Sequence, residues 1–112
     1  MGGSRTDRIN EEVKRELSAI IRGLKDPRIS GMTSVVAVDV SKDMRWCKVY
    51  VSVMGGDDRR KGTVEGLKSA AGFIRREIGE RLALRFTPEM LFTLDDSIEH
   101  GARINDILGK LQ

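Results

Sequence analysis

At 112 residues and 39% hydrophobic, the chain suits a single domain around one core, and no apolar run approaches the roughly 20 residues that a membrane-spanning helix needs. Its one cysteine, Cys47, excludes an internal disulfide and a cysteine-based zinc cluster, and the polar, charged start does not read as a secretory signal, so a cytoplasmic protein is expected. The 20 Lys+Arg against 17 Asp+Glu leave a charge of only +3, but they are unevenly placed: acidic pairs mark turns (Asp57-Asp58, Asp95-Asp96), while Arg59-Arg60-Lys61, Lys68, Arg75-Arg76, Arg81 and Arg85 crowd the middle, which favours a polyanionic partner.

In chain order, Ser4-Arg5-Thr6-Asp7 fits a capping box, so a helix is expected to start there. Ile9, Val13, Leu17, Ile20, Ile21 and Leu24 form its apolar stripe, with Arg8, Glu12, Arg15 and Arg22 toward water. It should end near Gly23, because Pro27 forbids continuation and makes Lys25-Asp26-Pro27-Arg28 a rigid exit loop. The period then changes to two. Val36, Val38 and Val40 alternate with Ala37, Asp39 and Ser41, and Cys47, Val49, Val51 and Val53 alternate with Lys48, Tyr50 and Ser52. With Ser41-Lys42-Asp43-Met44 between them, these runs predict an antiparallel hairpin with one buried face. Gly55-Gly56-Asp57-Asp58 closes it, the acidic pair serving as turn and helix cap.

A second helix is expected over roughly Arg59 to Ser69, interrupted by Gly62 and Gly66, and a third over Phe73 to Leu82. Val64, Leu67 and Ala71 stripe one flank and Ile74, Ile78 and Leu82 the other, with a bend at Ala70-Ala71-Gly72 between them. After Pro88, Met90-Leu91-Phe92-Thr93-Leu94 reads as a short apolar strand that must join the hairpin. Ser97 is a good N-cap for a last helix carrying Ile104, Ile107, Leu108 and Leu111. The expected class is therefore α+β: a three-stranded sheet with helices on one face, in the order α-β-β-α-kink-α-β-α, over residues 1–112 as one domain.

That order is the order of the type II KH fold, an RNA-binding module. The stretches Leu24-Lys25-Asp26-Pro27-Arg28-Ile29, Lys48-Val49-Tyr50-Val51-Ser52, Ala70-Ala71-Gly72-Phe73-Ile74-Arg75, Pro88-Glu89-Met90-Leu91-Phe92 and Asp95-Asp96-Ser97-Ile98 together resemble the ribosome-binding factor A family of bacteria. In that family an Ala-x-Gly kink replaces the GxxG loop, and Ala70-Ala71-Gly72 stands in the corresponding place. The resemblance implies a non-enzymatic assembly factor with no cofactor. It implies binding to the immature small (30S) ribosomal subunit and its rRNA, help with late maturation and 16S rRNA end processing, and greatest importance in the cold. It further implies a monomer without membrane attachment, with a ribosome-maturation GTPase as a candidate agent of release. Many members carry a C-terminal tail, which this sequence is expected to lack.

The residues themselves favour side-chain cations over a backbone clamp. A GxxG loop admits phosphate to bare amides, whereas Ala70-Ala71 restores bulk there. The candidate RNA contacts are Lys61, Lys68 and Arg75, seven apart, with Arg76, and with Arg45 and Lys48 beside the hairpin. Trp46 or Tyr50 could stack on a base or pack on a helix. Arg76 with Glu80 and Glu77 with Arg81 are spaced to pair at i, i+4, which suits the alternative of a protein-docking module with a solvated charged surface. A helix-turn-helix at Gly72 lacks the turn residues such a motif requires. Catalysis has little support: Cys47 and the only histidine, His100, are far apart in sequence, and no phosphate loop or convergent carboxylate set occurs.

Overall fold

The computed structural model describes residues 5–95. They form α1 (Arg5–Gly23), β1 (Thr33–Val40), β2 (Trp46–Val53), α2 (Asp57–Ser69), α3 (Ala71–Arg81) and β3 (Glu89–Leu94). The expected cap Ser4, Asp96, the last helix from Ser97 and His100 lie outside the described residues. The sheet has the order β1-β2-β3, with β1 antiparallel and β3 parallel to β2. This is the mixed α+β arrangement of a KH-like fold.

Period-two alternation gives the sheet an apolar face and a polar one. Val38, Val40, Cys47, Val49, Val51, Met90 and Phe92 point to the helices and meet Val13, Leu17, Ile20 and Ile21 of α1, Leu67 of α2, and Ile74 and Ile78 of α3. At about 25 cal/mol per Å2 of apolar surface, this burial is the main term holding the layers together. Asp39, Trp46, Lys48, Leu91 and Thr93 lie on the other, open face. One strand position departs from expectation. A β-bulge between Val35 and Ala37 shifts the phase by one residue, so Val35 packs against the core where alternation alone would have placed Val36.

Polar contacts tie α1 and the loops to this core. The Asn10 Oδ1 atom of α1 accepts the Val40 amide of edge strand β1 at 2.8 Å, and Glu16 receives Arg81 of α3 at 3.3 Å. The exit loop is a turn, with the Ile29 amide donating to the Asp26 carbonyl at 3.0 Å and Pro27 at the position whose φ the ring presets. Arg28 pairs with Asp26 at 2.7 Å, and its guanidinium holds the Asp26 carboxyl below the usual carboxylate range. This loop lies against α2. Fully buried Thr63 accepts the Ser30 amide at 3.1 Å and donates to the Arg59 carbonyl at 2.9 Å.

The two middle helices share one residue. Ala70, at φ −90° and ψ 2°, ends α2 and precedes α3. Its amide donates to the Gly66 and Leu67 carbonyls at 3.1 Å, and its carbonyl accepts the Ile74 amide at 2.9 Å. The pivot within Ala70-Ala71-Gly72 is thus Ala70, while Gly72 is exposed in the first turn of α3, where a Cβ would meet nothing within 4 Å. At the other end of α2 the expected acidic cap is corrected: Gly56 is the N-cap without a side-chain bond, and Asp57 and Asp58 occupy the first turn, where their charge favours the helix dipole.

Candidate nucleic-acid interface

The expected cations fall in three places. Lys61 and Lys68, two turns apart on α2, line a hollow against Phe92 and Leu94 of β3, together with Asp57 and Glu65. Arg75 and Arg76 line a second hollow beside Gly72, joined there by Arg85, Phe86 and Thr87 of the loop that leads to β3. Lys48 lies in a third, on the open sheet face with Asp39, Ser41, Trp46 and Leu91. Arg45 is exposed at the end of the hairpin turn next to Trp46. The break at Ala70 therefore separates Arg75 from the line of Lys61 and Lys68, and the three do not share a hollow. Trp46 and half-buried Tyr50 both sit on the open face, since they alternate with the inward Cys47, Val49 and Val51.

Ion pairing sorts the arginines. Of the two expected i, i+4 pairs, Glu77 with Arg81 forms at 3.5 Å. Arg81 also reaches Glu16, so this cation serves helix packing. Among the described residues no carboxylate pairs with Arg75, Arg76 or Arg85, and all three are exposed.

Arg85 was legible only as one of the crowded cations and Phe86 not at all, because a connecting loop has no periodicity to read. Local chain geometry positions them. Helix α3 ends in a Schellman motif: the Leu84 amide donates to the Gly79 carbonyl at 3.0 Å and the Ala83 amide to the Glu80 carbonyl at 3.3 Å. Ala83 holds the left-handed position at φ 50°. Beyond it, Arg75 Nε donates to the Thr87 carbonyl at 3.0 Å. Thr87 itself nests on Gly79, where a Cβ would lie 2.5 Å from its Oγ1 atom. The Arg85 guanidinium stands 5.6 Å from the centre of the Phe86 ring, a cation–π distance.

The remaining reactive group is structural. Cys47 is buried in the core, and burial pushes its thiol up to about 12, so it stays neutral and non-nucleophilic near pH 7. No group of three or more His, Cys, Asp or Glu converges to hold a metal among the described residues, and no helix there is long and apolar enough to cross a membrane.

A mixed sheet backed by kinked helices, with arginines at their joint that no carboxylate among the described residues pairs, can take up a polyanion by charge and shape. Comparison with known proteins gives the family. The family model for ribosome-binding factor A matches residues 5–108. Ribosome-binding factor A of Clostridium tetani is 58% identical over 100% of this chain and 93% of its own. The crystal structure of ribosome-binding factor A from Thermus thermophilus superposes with a TM-score of 0.72 at 27% identity, covering 80% of this chain and 93% of that one. Coordinates of the Thermus factor fitted into a cryo-electron-microscopy map of its complex with the 30S subunit give 0.64 at 28% identity, covering 75% and 88%. Matched by the family model along nearly its whole length and 58% identical to a relative it covers almost entirely, this chain belongs to the ribosome-binding factor A family.

Proposed function

We propose that this protein is a non-catalytic assembly factor that binds the immature small ribosomal subunit through its rRNA and assists late maturation and 16S rRNA end processing, with greatest demand in the cold. The observation that carries this reading is the family match over residues 5–108, joined to a relative seen on the 30S subunit. Cations on α2, at the start of α3 and in the loop after it supply the sequence-independent part of the binding, and the Ala70 joint sets the angle at which they are presented. A maturation GTPase is the candidate agent of release.

The test is co-sedimentation with immature and mature small subunits at two salt concentrations. Preferential capture of immature subunits that falls steeply with salt is expected. Each phosphate contact contributes a slope of about −0.7 to −0.9 in log affinity against log salt. A flat salt response would transfer the reading to protein docking, for which the Glu16, Glu77 and Arg81 network on α1 and α3 is the available charged surface.

A further inference from the structure

We infer that the hollow formed by Arg75, Arg76, Arg85 and Phe86 is a subsite for one unstacked nucleotide of single-stranded RNA, with its phosphate among the guanidinium groups and its base against the Phe86 ring. The inference rests on the rRNA-binding reading above and assigns it a location and a strand type.

Three guanidinium groups from two separate segments line one open hollow, and no carboxylate lines it with them. Gathering like charges opposes folding and offers the core nothing in return; a bound anion reverses the sign of that term. Arginine in particular presents a planar fork that matches phosphate oxygens two at a time. With Arg75 Nε already given to the Thr87 carbonyl, its Nη donors remain for a ligand.

The aromatic observation is independent. Phe86 is 69% exposed at the rim of the same hollow. A phenyl ring kept in water has a recognised use where bases are splayed out, because every base has a face that can stack. The backbone that carries the ring is also held in place. The Schellman motif at Ala83 and Leu84 closes one end of its loop, while the seat of Thr87 on Gly79 and the buried Pro88 hold the other. A backbone fixed before binding reduces the ordering that a base must bring about. A duplex offers such a ring nothing to stack on, since its bases are already stacked and its major groove is too narrow to enter.

The experiment uses the full chain and a short fluorescent oligoribonucleotide of mixed sequence, single-stranded and annealed to its complement, with co-sedimentation on immature subunits run in parallel. Phe86→Ala should weaken single-strand binding about five- to hundredfold, the equivalent of one base–aromatic stack, with duplex binding, salt slope and melting temperature unchanged. Phe86→Trp should restore it. Arg76→Gln should weaken both forms and reduce the salt slope by about 1. Single-strand affinity unchanged in Phe86→Ala, or an equal loss on duplex, overturns the subsite. So does a wild-type chain that sediments with subunits yet ignores single strands, or one whose hollow is blocked by an acidic peptide and not by RNA. If the wild type fails to sediment with immature subunits at all, it is the rRNA reading that fails.

Discussion

Among the described residues two with side chains occupy the left-handed region, and their surroundings give them opposite fates. Ala83, at φ 50°, is exposed at the end of α3, where only its own Cβ opposes the Schellman geometry. Glycine removes that clash, so Ala83→Gly should stabilise the protein by about 0.5 to 1 kcal/mol, read as a melting temperature a few degrees higher. A lower melting temperature would show that the motif is held by something other than its backbone bonds. Met44, at φ 60° in the hairpin turn, packs its side chain against the core, so glycine there loses more in burial than it gains in freedom. Neither position was legible in the sequence, because alanine and methionine carry no left-handed signal. Cys47 was legible, since its place in the alternation with Val49 and Val51 already assigns it to the inner face.

At the scale of elements, the glycines of the middle helices look alike in sequence and differ in what surrounds them. A Cβ on Gly62 would sit 3.7 Å from the Arg28 carbonyl, an ordinary contact, and one on Gly72 would meet nothing. On Gly66 it would fall 2.7 Å from Ile29 Cγ1 and 3.3 Å from Asp26 Oδ2. Gly62→Ala and Gly72→Ala should therefore raise stability by up to about 1 kcal/mol through helix propensity, whereas Gly66→Ala should lower it by about 1 to 3 kcal/mol by prising the exit loop from α2. Urea midpoints should rank both of the former above the wild type and Gly66→Ala below it; a Gly66→Ala variant as stable as Gly62→Ala would mean that the loop gives way freely. The helices and strands themselves were readable from period and capping. The bulge at Val35 to Ala37 and the Gly66 seat were not, because each depends on a partner distant in sequence.

For the molecule as a whole, charge that does not serve the fold is what remains for a partner. Reversal of Arg75 and Arg76 to glutamate removes one bond to the Thr87 carbonyl and no ion pair among the described residues, so melting should shift by about 1 kcal/mol or less. Co-sedimentation with immature subunits should be lost. A double variant that folds and sediments like the wild type would relocate the interface, with exposed Arg8, Arg15 and Arg22 of α1 as the next surface. The sequence yielded the element order and the need for a third strand, but not that β3 lies parallel beside β2, since direction is set by the whole α2–α3 crossover. That crossover also orders events in time. The β1–β2 pairing needs only the short turn between Val40 and Trp46, whereas pairing Trp46 with Glu89 and Val51 with Leu94 must wait until a chain spanning two helices has closed. The hairpin is then expected to form at the folding barrier and β3 to be added after it. Stopped-flow kinetics should find Val49→Ala slowing refolding and Phe92→Ala chiefly speeding unfolding, and the reverse pattern would place nucleation at the crossover. A factor whose last-added strand also walls the Lys61–Lys68 hollow would complete that surface only when its own folding is complete.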